Sequence, residues 1–213
     1  MPRRIDYYLS LSSPWAYLGH GRFRDMARRH GLDVRVKPVL LGNVFAETGG
    51  QVLAKRHPAR QRYRLVELQR WRDKLGLPLH LQPRHWPFDP TLADRLVIAI
   101  EQSGGDTMGF FARASSAIWE KQENLADEAT LERIAAEHGL DGPALLAQAQ
   151  AQATAEIYRQ NLQDAVAADV FGSPAYVLDG EVFWGQDRLG LLEEALISGR
   201  QPFRPEVKGS DPT

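Results

Sequence analysis

Ser12, Ser13 and Pro14 stand where a run of strand character meets a helix. The run Ile5-Asp6-Tyr7-Tyr8-Leu9-Ser10-Leu11 is rich in aromatic and aliphatic residues and has the length of a buried strand. Either serine can cap the helix that follows, and Pro14 then falls at its first position, where a missing N–H costs nothing. Trp15, Leu18, Phe23 and Met26 continue at roughly helical spacing. A helix begun this way gathers a serine hydroxyl, free backbone N–H groups and the positive end of a dipole at one point. That point favours an anion, and a thiolate is one. Most Ser-Pro pairs ahead of helices are caps and nothing more, so a chemical role for Ser13 needs support from elsewhere in the chain.

Other residue types narrow the chemistry. The chain has 213 residues and no Cys, which excludes structural disulfides, thiolate metal sites and a protein thiol nucleophile. His80, His85 and Asp89 lie in a proline-rich stretch at a spacing that fits no compact metal motif, and read as surface or packing residues. A basic run, Lys55, Arg56, Arg60, Arg62, Arg64, Arg70, Arg72 and Lys74, reads as a solvated helix face with Glu67 and Asp73 as partial partners. One or two of these arginines are still suited to a small carboxylate. The formal net charge of -1 gives no field toward nucleic acid or a membrane surface. No apolar run is long enough to span a bilayer, and Asp6 interrupts any signal-peptide core, so a cytoplasmic protein is expected.

The elements that must position these residues follow in order. Hydrophobic content of 43% and charged content of 25% are those of an ordinary globular chain. A second strand is expected over 33–41, parallel to the first because a helix connects them. Gly42, Gly49 and Gly50 mark a loop. From Pro58 to Gly76 the period is helical, with Tyr63, Val66, Leu68, Trp71 and Leu75 as the apolar stripe. After the 77–90 loop, helices are expected over 92–103, 107–121, 127–138 and from Pro143 to about Ala168, with a break allowed in the last. A short strand from Ala175, an Asp179-Gly180 hairpin turn, a returning strand to Trp184 and a helix from Leu189 to Ile197 close the fold. The tail 201–213, with three prolines, is expected to be poorly ordered.

This order of elements is thioredoxin-like, an α/β fold with a large all-helical domain inserted between its βαβ and ββα halves. The halves comprise residues 1–42 and 170–200, and the insertion 43–169. Ser13-Pro14-Trp15-Ala16-Tyr17-Leu18-Gly19 resembles the active-site segment of kappa-class glutathione transferases and 2-hydroxychromene-2-carboxylate isomerases. Phe171 to Val177, followed by Asp179-Gly180 and Phe183-Trp184-Gly185-Gln186-Asp187-Arg188, resembles their C-terminal signature. The resemblance runs to about Ser198.

The resemblance implies glutathione as cofactor. Ser13 stands where redox relatives carry the first Cys of Cys-x-x-Cys, and donates a hydrogen bond to the glutathione sulfur. Such a donor at a helix N-terminus stabilises thiolate over thiol. Pro14 and Trp15 flank it. Pro174 is expected to be cis, presenting the Ser173 backbone to the cysteinyl amide. Gln186 and Asp187 would meet the γ-glutamyl end, and Arg60 the glycyl carboxylate, with other arginines within a turn. Lys37, or an arginine of the basic helix, would hold the carboxylate of an aromatic substrate. Two departures fall near the ligand side: Ser10 stands where the family often has Asp, and the stretch around Gly50 and Gln51 lacks its Asn and following prolines.

The activity implied is a glutathione-dependent cis–trans isomerisation of 2-hydroxychromene-2-carboxylate-like substrates by reversible thiolate addition. The alternatives are a kappa-type transferase acting on other electrophiles and a non-catalytic thioredoxin-fold binding protein. Dithiol exchange is excluded without Cys. A small aromatic carboxylate as substrate, a homodimer, and no nucleic-acid or membrane partner complete the expectations.

Overall fold

The computed structural model describes residues 3–205. At its centre is β1 (Arg4–Leu9), and β2 (Asp33–Pro38) pairs parallel to it with Tyr7 opposite Val36. The link between them is α1 (Pro14–Arg29), the helical crossover a parallel pair requires. On the other side β3 (Ala175–Leu178) runs antiparallel to β1, and β4 (Glu181–Trp184) antiparallel to β3, giving the order β2-β1-β3-β4. Asp179 and Gly180 both have positive φ, 52° and 78°, as a tight two-residue hairpin turn demands.

Between the halves lie α2 (Leu41–Thr48), α3 (Pro58–Leu75), α4 (Thr91–Gln102), α5 (Thr107–Trp119), α6 (Glu128–Glu137), α7 (Gly142–Gln150) and α8 (Gln152–Ala167); α9 (Leu189–Ser198) follows β4. Aspartates cap three of them: Asp106 accepts from Gly109 N at 2.8 Å, Asp127 from Thr130 N at 2.9 Å and Asp141 from Ala144 N at 3.1 Å. The break between α7 and α8 falls at Ala151, whose ψ of 150° leaves the helical region.

Side chains alternate along a strand, so β1 faces two ways. Ile5, Tyr7 and Leu9 join a core that continues through Phe110, Phe111 and Trp119 into the helices. Tyr8 joins a smaller cluster with Val39, Val44, Ala165 and Val170. The inserted helices therefore share a core with the sheet, and they hold the β1–α1 turn from one side.

Three expectations change. The segment from Leu41 to Thr48, read as a loop from its glycines, is α2: Val44 is buried in the smaller cluster, and tertiary packing outweighs local propensity. The α3 stripe is only partly covered: Leu68 is buried and Trp71 and Leu75 pack against the core, while Tyr63 is 59% and Val66 42% exposed. The tail also divides. Phe203 N donates to Glu181 at 3.0 Å and Arg204 to the Gly180 and Asp179 carbonyls, so 201–205 lies on the hairpin; residues 206–213 fall outside those described.

Gly19 sets how closely α1 approaches the turn after β4. A Cβ there would meet Gln186 Cβ at 2.7 Å and Gln186 Cα at 3.3 Å. Gly19→Ala is expected to destabilise the fold by about 1–3 kcal/mol through overpacking. Chemical denaturation would show a lowered midpoint, and an unchanged midpoint would mean that the turn moves away freely.

Candidate active site

The turn between β1 and α1 is pinned at nearly every polar atom. Ser13 N donates to the Ser10 carbonyl at 3.0 Å, closing the turn. Asp94 of α4 accepts from Leu11 N at 2.9 Å and from the Ser10 hydroxyl at 2.9 Å. The indole N–H of Trp119 donates to the Leu11 carbonyl at 3.3 Å, and that of Trp86 to the Ser12 carbonyl at 3.1 Å. Tyr158 of α8 donates to the same Asp94 carboxylate at 3.0 Å. Asp94 and Ser10 have no solvent exposure. Burial pushes the Asp94 carboxyl up to about 7, and the three donors only partly oppose it.

Held this way, Ser13 caps α1. Its Oγ accepts from Ala16 N at 3.2 Å, and Pro14 takes the first helical position. Its hydroxyl proton points to the Ser173 carbonyl at 3.1 Å. The bond from Ser173 to Pro174 is cis, as expected, and so is that from Trp86 to Pro87 in the 77–90 loop. Gly185 N donates to the Pro174 carbonyl at 2.8 Å and fixes this loop to the end of β4. The two family-like segments, 160 residues apart, thus meet at one hydrogen bond.

Beside this bond lies a cleft of about 300 Å³, walled by Trp15, Trp71, Trp184, Arg56, Asp187 and Ser173. Ser13, 3% exposed, does not itself wall the cleft and is joined to it through the Ser173 carbonyl. The Ser173 hydroxyl is buried with no hydrogen-bond partner among the described residues, a cost that a bound polar ligand would remove. Asp187 and Arg188 reach it as an ion pair at 2.6 Å, Glu67 reaches it already paired with Arg70, Arg56 brings a cation with no ion pair among the described residues, and three indoles supply apolar surface. A zwitterionic tripeptide with carboxylates at both ends fits this donor set. A larger hollow of about 600 Å³ lies between β4, α9 and Phe203, but Ser173, which walls the smaller cleft, does not reach it.

A family model described as the DsbA-like thioredoxin domain matches residues 4–197. The chain belongs to that family. Among its DsbA-like relatives, the 2-hydroxychromene-2-carboxylate isomerase of Sphingobium xenophagum is 29% identical over 199 residues, covering 92% of this chain and 100% of the relative. Glutathione S-transferase kappa 1 of Caenorhabditis elegans is 24% identical over 223 residues, covering 98% of both. A solved 2-hydroxychromene-2-carboxylate isomerase superimposes with a TM-score of 0.78 at 27% identity, over 92% of this chain and 95% of its own. Among the described residues no helix is long and apolar enough to cross a membrane.

Two site assignments change in this DsbA-like chain, those of Lys37 and Arg60, and a third residue, Gln186, has a bracing role as well. Lys37 forms ion pairs with Asp164 at 2.9 Å and Asp6 at 3.1 Å. Burial draws its ammonium down, but these two carboxylates more than compensate and hold it above the ordinary lysine range. It is neutralised twice over and has no charge left for a substrate. Arg60 is exposed and absent from the cleft walls, where Arg56, just ahead of α3, stands instead. Gln186 is among the residues lining the cleft; it is 2% exposed, and both its carbonyl and its side-chain oxygen are taken by Arg22 of α1. It braces the turn, and Asp187 presents its carboxylate to the cleft with Arg188 at 2.6 Å.

Asp94, Tyr158, Arg22 and Trp86 are the residues that the sequence does not announce. Ser10 was the available signal. Where the resembled family often has Asp, this chain has a serine that meets a carboxylate supplied by α4.

Proposed function

We propose that this chain is a glutathione-dependent isomerase acting on 2-hydroxychromene-2-carboxylate-like aromatic carboxylates in the cytoplasm. The reading is carried by the Ser13 hydroxyl, set at the N-terminus of α1 and aimed at the carbonyl that precedes cis-Pro174. The names of the isomerase relatives, two of them at 29% identity, support the reaction class. Bound glutathione would supply a thiolate whose reversible addition to a conjugated double bond leaves a rotatable single bond.

The chain's own part is binding and electrostatics. Ser13 turns its proton from the Ser173 carbonyl to the sulfur, and the α1 N-terminus favours the negative charge there. Ser173 offers its backbone and its unpartnered hydroxyl to the tripeptide. Asp187 accepts from the α-ammonium, and Arg56 takes the glycyl carboxylate. Trp15 and Trp71 exclude water from the sulfur's surroundings. A kappa-type transferase is the second reading, favoured by the relative that covers 98% of the chain; it uses the same cleft without the reverse elimination.

Thermal unfolding with and without millimolar glutathione tests the cofactor. A ligand present at 100 times its dissociation constant adds about 2.7 kcal/mol to the folded state. A clear rise in midpoint for the wild type, and its loss in Asp187→Ala, is the expected result. No rise at saturating glutathione would refute the proposal and favour a non-catalytic binding protein.

A further inference from the structure

Two arginines beside the cleft carry charge that the chain does not neutralise. Arg64 of α3 lays its guanidinium over the Trp86 ring, 4.9 Å from the centroid, and Arg56 lies over Phe45 at 5.5 Å. Arg56 donates through Nε to the Gln51 carbonyl at 2.8 Å. Arg64 makes no hydrogen bond, and neither arginine forms an ion pair, among the described residues. The acids of the same helix are engaged elsewhere, Glu67 with Arg70 and Asp73 with Arg72. Burial pulls the Arg64 guanidinium down to about 10, and the positive charge of Arg56 adds to the fall. Arg56 is lowered in the same way, by burial and by Arg60. Two like charges partly removed from water are unfavourable, and an anion between or beside them would relieve both.

Their position says which anion. Arg56 walls the cleft, whereas Arg64 does not. Arg64 stacks instead on Trp86, whose indole N–H holds the Ser12 carbonyl, one residue before Ser13. The Arg64–Trp86 pair therefore adjoins the reacting end of the site without belonging to the tripeptide cleft. We propose that Arg64 is the binding residue for the carboxylate of the acceptor substrate, an unsaturated electrophile conjugated to a carboxylate. This rests on the glutathione reading, in which Arg56 takes the glycyl carboxylate. The two guanidiniums, near enough for the charge of one to act on the other, then bring the two carboxylate-bearing reactants to one site, as a bimolecular addition needs. The planar fork of Arg64, backed by an indole, suits bidentate contact with one carboxylate.

The test compares binding of cinnamate and its uncharged amide, cinnamamide, by calorimetry on wild type, Arg64→Met and Arg64→Lys. Wild type is expected to prefer cinnamate by about ten-fold or more, the worth of one charge-assisted contact. Arg64→Met, which keeps an apolar stem, should bring the ratio near one while glutathione still raises its unfolding midpoint. Arg64→Lys should restore part of the preference, showing that charge and not packing is read. An unchanged preference in Arg64→Met, or none in the wild type, overturns the inference even where glutathione binds. If glutathione gives no shift but Arg64→Met still abolishes the preference, the cofactor reading falls and the carboxylate subsite stands.

Discussion

Ser13→Ala is expected to lower the rate of glutathione addition to a neutral electrophile such as 1-chloro-2,4-dinitrobenzene by about 100-fold, as loss of one preorganised donor to a developing anion does elsewhere. Glutathione should still bind, because Ser173, Asp187 and Arg56 remain. Ser13 is 3% exposed and its hydroxyl sits at a helix N-terminus, so water cannot replace it freely. Alanine also removes the cap on Ala16 N, which costs about 1 kcal/mol. Stability and chemistry therefore separate: a small fall in midpoint accompanies a large fall in rate. Equal rates in the two proteins, at saturating glutathione, would remove Ser13 from the chemistry and leave it a cap.

The second large effect is on stability and its pH dependence, and it comes from Asp94. In the unfolded chain this carboxyl titrates near ~3.9; in the fold burial pushes it up to about 7. A raised pKa means that the folded state keeps the proton longer. The stabilisation it brings is complete below the unfolded pKa and is lost as pH rises through the folded one. Wild-type stability should thus fall between about pH 4 and pH 7, by on the order of 3 kcal/mol from this group alone. Asp94→Asn cannot ionise, and its stability should be flatter across that range. Asp94→Ala should cost about 4 kcal/mol near pH 4 and progressively less as the pH rises toward 7, because Leu11 N–H and the Ser10 and Tyr158 hydroxyls lose their acceptor inside the protein while the variant has no carboxyl to titrate. Denaturant midpoints measured at intervals from pH 4 to 8 decide the matter. Parallel wild-type and Asp94→Asn curves would mean that Asp94 is ionised throughout, its three donors outweighing burial.

The residues that carry local signals were legible. Ser13-Pro14 reads as a strand-to-helix junction because cap and N1 preferences act within one turn of chain. Asp179-Gly180 reads as a hairpin because few residue pairs tolerate two positive φ values. Cis-Pro174 was expected from the surrounding signature, not from physics of the dipeptide. What was not legible depends on distance. Asp94 meets Ser10 and Tyr158 across 84 and 64 residues, and nothing in an amphipathic helix pattern marks one acid as buried. Lys37 sits on a strand whose alternation reveals its face but not Asp164, 127 residues on, which neutralises it. Arginines 56, 60 and 64 look alike in sequence; the path of the chain into α3 decides that the first reaches the cleft and the last stacks on Trp86. The glycines around α2 were misleading because Val44 has a buried place to go.

The central claim is that this fold binds glutathione and ionises its thiol at Ser13. The chain contains no Cys, so thiolate absorbance near 240 nm in the complex comes from glutathione alone. Titrating that band against pH for the wild type and Ser13→Ala tests the claim most directly. The expected result is a bound thiol that ionises roughly 1–2 units below a free thiol's ~8.5 in the wild type and returns toward the free value in Ser13→Ala. A bound thiol that titrates at the free value in both proteins would contradict it.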